Sequence, residues 1–156
     1  MYRVGIGFDA HPLEANKKGL YLGGIKVSEE YSSIGHSDGD ALIHAIVDAI
    51  LGATNAGNIG IWFPENEENR GRRSTEFLEI IRKKILAGKY EILNIDSVII
   101  IDKVRLNPHI ENIRLKLARI LGISKGNINV KPKSGNTLYG NSVSVYAVCM
   151  LKKVGT

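Results

Sequence analysis

The chain has 156 residues, 44% hydrophobic and 24% charged, with a formal net charge of +5. That leaves room for one domain with a full core, and the composition is that of an ordinary globular protein, not a disordered or collagen-like one. A single cysteine excludes an internal disulfide, and the scattered basic residues lack a stacking-aromatic motif, which argues against nucleic acid as a partner.

The first eleven residues contain no apolar signal region, and no run approaches about 18 continuous apolar residues, so no membrane association and a cytoplasmic location are expected. Residues 2–8 and 20–27 read as strands. Ser37 or Asp38 can cap a helix in which Leu42, Ile43, Ile46, Val47, Ile50 and Leu51 follow helical spacing up to Gly52. Residues 55–73 form a long Gly/Asn/Pro/Glu/Arg loop, of a length usually reserved for function. Ser74 caps a second helix with the stripe Phe77, Leu78, Ile81 and Ile85, stopped by Gly88.

The stretch 92–101 ends in Val98-Ile99-Ile100-Ile101, the continuous apolar run of a strand covered on both faces. Asn107 caps and Pro108 opens a third helix, with Ile110, Ile113, Leu117 and Leu121 as its stripe and Gly122 as its stop. Two strands, 127–131 and 142–152, close the chain, the second enclosing Cys149 as a core thiol. The order β-β-α-α-β-α-β-β predicts one α+β domain over residues 1–156, a mixed β-sheet with helices packed on one face.

Three segments carry chemistry. At the end of the first strand, Asp9 and His11 are two residues apart and therefore point to the same side. His44 sits one turn into the first helix, four residues after Asp40 and four before Asp48. If strand end and helix start abut, Asp9, His11 and His44 make three N/O ligands with an open fourth position, as in a catalytic zinc site; Asp48 would be the acceptor for the other ring nitrogen of His44. The same spacing also fits ordinary helix capping beside a hydrogen-bonded histidine. The loop segment Asn58 to Glu65 suits closure over a substrate, or a Trp62/Phe63 plug at the core edge. Lys131 to Thr137 offers ammonium, hydroxyl and backbone N–H donors to an anionic oxygen, or is a polar turn; it lacks the P-loop spacing.

Together these segments resemble the 2-C-methyl-D-erythritol 2,4-cyclodiphosphate synthases of the non-mevalonate isoprenoid pathway. The resemblance is carried by GFDAH at 7–11, LGGIKV at 22–27, HSDGDALIHAIVDAILGA at 36–53, GNIGIWFP at 57–64, NPH at 107–109 and INVKPKS at 128–134. It implies a homotrimer of small α+β subunits with active sites between neighbouring chains. It also implies a zinc ion on Asp9, His11 and His44, with magnesium or manganese on the substrate's diphosphate.

The implied reaction is attack of a 2-phosphate on the β-phosphorus of the same CDP-methylerythritol molecule, releasing CMP. By the same resemblance His36 and Ser37 contact substrate, His36 also stabilising the transition state. Asn58, Ile59 and Gly60, with Phe63, Pro64 and Glu65, wall the methylerythritol phosphate. Ile101, Arg105, Leu106 and Asn107 hold the cytidine of the neighbouring chain's substrate. Lys133, Ser134, Gly135 and Asn136 face the diphosphate, Ser134 taking the place of a stabilising threonine.

The chain departs from the family pattern in three places: Asn58 replaces an aspartate, Asn136 replaces a glutamate that helps hold the second metal, and Tyr139 to Ser142 replaces a Gly-Arg-Gly-Glu stretch. Competing readings are a low-activity or repurposed zinc-binding relative, and a zinc phosphohydrolase. The latter needs a water-activating base, for which no unassigned carboxylate stands out.

Overall fold

Alternation of small or polar with larger residues makes the N-terminus one long strand, β1 (Tyr2–Glu14), extending well past the expected end at residue 8. The computed structural model describes residues 1–155. Gly5 and Gly7 on β1 face the first helix, α1 (Ala41–Ala53). A Cβ on either would lie 1.8 Å from a helix carbonyl oxygen, that of Ala49 or Ala45, so the helix backbone rests directly on the strand. This close approach puts the end of β1 against the start of α1.

The expected strand 20–27 is instead a hairpin of β2 (Leu20–Leu22) and β3 (Ile25–Ser28). Gly23 and Gly24 form its turn at φ 63° and 76°, and their N–H groups donate to Asp40 Oδ1 and Oδ2 at 2.9 and 2.7 Å. Asp40, rather than Ser37 or Asp38, is the N-cap of α1, accepting from Ile43 N at 3.0 Å. Burial pushes the Asp40 carboxyl up to about 6, opposed by these three backbone donors. One buried carboxylate thus ties the hairpin to the helix start. The α1 helix itself is buried on nearly every side, as expected of a helix enclosed between a sheet and other elements.

A short strand, β4 (Ser32–Ser33), precedes α1. The long loop contains a one-turn helix, α2 (Ile59–Trp62), and a 3₁₀ turn at Glu67–Asn69. Next, α3 (Ser74–Ile81) continues into a π-helical turn, Arg82–Leu86. Ser74 is its first residue and not its cap: the Ser74 N–H donates to Asp38 Oδ2 at 2.9 Å. There follow β5 (Tyr90–Ile101), α4 (Ile110–Leu121), β6 (Ile128–Lys133) and β7 (Ser142–Lys153). Asn107 and Pro108 lie in a 3₁₀ turn ahead of α4 instead of opening it.

The main sheet runs β4-β1-β7-β5-β6, antiparallel except for the β5–β6 pair, and so is mixed as expected. Its inner face carries Val143, Val145, Ala147, Cys149 and Leu151 of β7 against the helices; burial pushes the Cys149 thiol up to about 11. Its outer face is apolar yet open: Val4 and Ile6 are 61% and 69% exposed, and Tyr2, Phe8, Tyr146, Val148 and Met150 are exposed beside them. No helix among the described residues is long and apolar enough to cross a membrane.

Candidate metal centre and adjoining cavities

Because β1 and α1 touch backbone to backbone, the Asp9 carboxylate reaches two histidines at once. Asp9 Oδ2 lies 2.7 Å from His11 Nε2 and 3.0 Å from His44 Nδ1, and the candidate ligand atoms of all three residues fall within 4.8 Å of one another. Burial would raise the Asp9 carboxyl, but hydrogen bonds and charge attraction from His11 and His44 outweigh it and hold the pKa at about 2. Burial disfavours a charged His11, yet its contact with Asp9 raises the ring above its ordinary value.

His11 Nδ1 is 3.0 Å from the Ile34 carbonyl oxygen, which can only accept, so Nδ1 carries a hydrogen. A neutral His11 therefore aims a lone pair at a carboxylate oxygen. Such a convergence needs a positive charge, either a proton or a metal cation. One carboxylate and two imidazoles on the wall of a cavity are the donor set of a catalytic zinc site, and the second nitrogen of His11 is anchored as metal-binding histidines usually are.

Asp48 does not anchor His44. Its Oδ1 accepts from Ile59 N at 2.7 Å and so fixes the start of α2. The Nε2 of His44 meets Ser74 Oγ at 2.8 Å, with Ser37 Oγ at 3.2 Å. Helical spacing offered Asp48, whereas Ser74 and Ser37 lie outside α1, beyond the reach of that spacing.

Beside the three residues opens a cavity of about 290 Å³. His36, Ser37, Ile59, Gly60, Phe63 and Glu65 are on its wall. Asn58 and Pro64 are not: Asn58 Oδ1 accepts from Ile61 N as the cap of α2, and the Pro64 carbonyl accepts from the Asn69 side chain at 2.8 Å. His36 Nε2 donates to the Asn66 carbonyl at 2.6 Å, which binds this histidine to the long loop. Asn69 and Phe77 also line the cavity and were not singled out from the sequence. Phe77 reads there as an ordinary core position, but its ring stacks on Phe63 at 4.2 Å and so braces the loop.

A second cavity, about 230 Å³, is bounded by Ile101, Arg105, Leu106, Asn107, Lys133 and Ser134, with Asp102 among them. It shares no lining residue with the first, although His11 and Ile101 both pair with Val143 at the same end of the sheet. Asp102 organises the adjoining loop. Its Oδ1 accepts from Ser134 Oγ at 2.8 Å and Gly135 N at 2.9 Å, and its Oδ2 from Thr137 N at 3.3 Å. The Ser134 hydrogen bond, with these backbone donors, holds the Asp102 carboxyl below its ordinary value.

The Ser134 hydroxyl hydrogen is thereby committed to Asp102, while its oxygen accepts from Asn136 N at 3.0 Å. Asn136 and Thr137 sit at φ 50° and 66°, two consecutive left-handed residues that persist only because their surroundings enforce them. Asp102 falls within the 101–107 stretch that the resemblance assigns to the nucleoside, but nothing in the sequence pointed to its hold on the 134–137 loop.

A family model described as the YgbB family matches residues 2–152. A 2-C-methyl-D-erythritol 2,4-cyclodiphosphate synthase of Kosmotoga olearia is 99% identical over 156 residues, covering 100% of both chains. One from Fusobacterium nucleatum is 42% identical over 158 residues, covering 98% of each. A solved structure of such a synthase in its CDP-bound form is 33% identical, with a TM-score of 0.89, covering 96% of this chain and 100% of that one.

Proposed function

The chain belongs to the YgbB family, the 2-C-methyl-D-erythritol 2,4-cyclodiphosphate synthases, and from that premise we propose how its residues divide the work. The enzyme is a phosphorus–oxygen lyase that closes 4-diphosphocytidyl-2-C-methyl-D-erythritol 2-phosphate into the 2,4-cyclodiphosphate, releasing CMP. The 2-phosphate attacks the β-phosphorus of its own molecule, so no side-chain nucleophile is required. Positioning and charge neutralisation then carry most of the rate enhancement.

The observation that carries this reading is the convergence of Asp9, His11 and His44 beside a cavity. These three residues would hold zinc. When bound, zinc supplies a Lewis acid to a phosphate oxygen. His36, fixed through Nε2 by the Asn66 carbonyl, stands beside the Ser37 hydroxyl on the cavity wall, and both contact the substrate. Phe63, braced by Phe77, keeps water from the methylerythritol. Lys133 and Arg105 offset the diphosphate's charge, with Ile101, Leu106 and Asn107 as the nucleoside wall.

The 133–137 loop does not fit a protein-held magnesium or manganese ion. Asn136 is a neutral amide, and Asp102 already accepts from three donors in the loop. The substrate's own phosphates are the oxygen ligands that remain for such an ion.

The working assembly is a homotrimer. Its support is the open apolar sheet face from Tyr2 to Met150, where each large side chain buried contributes about 1.5–3 kcal/mol. The separation of the two cavities within one chain points the same way: a neighbouring copy brings its nucleoside wall to the metal centre. Light scattering at micromolar protein should give about three times 17.1 kDa, and a stable monomer would contradict the shared site. Phosphorus NMR of the protein with the CDP-linked substrate tests the chemistry. Cyclic diphosphate with CMP is expected; a linear hydrolysis product or no turnover would refute the reading.

A further inference from the structure

His44 is joined to Asp38 through Ser74, a residue 30 positions away from the first and 36 from the second. Ser74 is fully buried, so no water substitutes for either partner. Its hydroxyl has one hydrogen. A carboxylate only accepts, so the close contact of Ser74 Oγ with Asp38 Oδ1 commits that hydrogen to Asp38. Ser74 Oγ must then accept at 2.8 Å from His44, and Nε2 is the atom that carries the ring hydrogen. In the neutral ring the remaining nitrogen, Nδ1, then holds a lone pair 3.0 Å from Asp9 Oδ2, a convergence that, as at His11, a bound cation satisfies.

We infer that Asp38 and Ser74 are positioning residues that set the tautomer of His44, leaving Nδ1 as its metal-binding atom. The inference rests on the reading of Asp9, His11 and His44 as a metal centre. Asp38 has an evident second role: its Oδ2 caps α3 through the Ser74 N–H, where the N-cap residue Arg73 makes no side-chain cap bond. Capping needs only that backbone donor, however. The hydroxyl contact is additional, and the two roles separate by mutation.

Ser74→Ala keeps the backbone N–H on Asp38 and removes the relay to His44. Asp38→Asn keeps an oxygen for the cap and gives up the long bond from the Asp40 N–H to Oδ1 (3.2 Å); its NH₂ donates to Ser74 Oγ and turns the hydroxyl hydrogen round onto His44 Nε2. The ring hydrogen then moves to Nδ1, where it donates to Asp9 Oδ2 and occupies the nitrogen that would bind the metal. This is the logic by which a buried aspartate fixes the tautomer of a catalytic histidine.

The test uses the full chain, stripped of metal and carrying ¹⁵N-labelled histidine, at a pH above the imidazole range. Long-range proton–nitrogen correlation reads the His44 tautomer, and competition with a chelator reads zinc affinity. The parent protein should show hydrogen on Nε2 and Asp38→Asn hydrogen on Nδ1. Zinc affinity should fall roughly 10–100-fold in both variants, with the melting temperature of Ser74→Ala close to the parent's.

Hydrogen on Nδ1 in the parent would overturn the inference, and so would zinc affinity within about twofold of the parent in both variants. His44→Ala is the control. If it loses zinc while Ser74→Ala and Asp38→Asn keep it, the relay alone fails. If it keeps zinc, the metal-centre reading fails and takes the relay with it.

Discussion

Replacing Gly7 with alanine should part β1 from α1 and pull the candidate metal centre of Asp9, His11 and His44 open. A Cβ at position 7 would lie 1.8 Å from the Ala45 carbonyl oxygen and 2.8 Å from both Ala45 C and Ala49 N. A tolerated carbon–oxygen contact begins at about 3.3 Å, so strand and helix must separate by roughly 1.5 Å. The obstacle is helix backbone and not the end of a flexible side chain. Asp9 is two residues along the strand from Gly7 and His44 is next to Ala45, so the 3.0 Å gap between Asp9 Oδ2 and His44 Nδ1 widens with the seam. Metal-ligand distances tolerate only about 0.2 Å. Overpacking at so tight a contact costs about 3 kcal/mol, the upper end of the usual range. For a chain of this size that lowers Tm by roughly 6–12 °C. Thermal unfolding at fixed protein concentration, with metal analysis of the purified variant, measures both effects. A Gly7→Ala protein that melts within about 1 °C of the parent and retains full zinc would refute the argument.

Zinc affinity should fall by about tenfold per pH unit once pH drops below the His11 pKa, because the metal must displace that proton. Since Asp9 raises His11 above its ordinary value while its own carboxyl is ionised down to about 2, the fall should begin at higher pH than for a free imidazole; chelator competition showing constant affinity down to about pH 5 would contradict this. Asn136→Glu adds a charged oxygen to the 133–137 loop and should lower the half-saturating magnesium concentration severalfold without changing zinc content. An unmoved half-saturation point in steady-state kinetics would mean that position 136 does not meet the metal. Asp102→Ala leaves Ser134, Gly135 and Thr137 without their common acceptor and should raise KM for the CDP-linked substrate, with zinc content and Tm nearly unchanged. An unaltered KM would show that the loop keeps its shape without the carboxylate.

Where an element depends on periodicity, the sequence determined it. The twofold alternation that turns Asp9 and His11 to one side holds in β1, Phe77, Leu78 and Ile81 of α3 and Ile113, Leu117 and Leu121 of α4 are buried as expected while Ile85 and Ile110 are only partly so, and His44 falls within one turn of the α1 start. These features are local because side-chain direction follows from backbone repeat alone. Only the tertiary structure decided which polar groups pair across long separations. Spacing makes Asp48 the expected partner for His44, but Asp48 is drawn to the free N–H of Ile59, while the start of α3 brings Ser74 between Asp38 and the ring. Likewise, 20–27 has the pattern of one strand and is a hairpin because Asp40, 16 and 17 residues away, takes both turn N–H groups. Asp102 became the anchor of the 134–137 loop only when β5 and β6 aligned in parallel and set its carboxylate beside Ser134. A buried donor or acceptor takes whichever partner the packed backbone brings within about 3 Å, and one chain's spacing does not encode that choice.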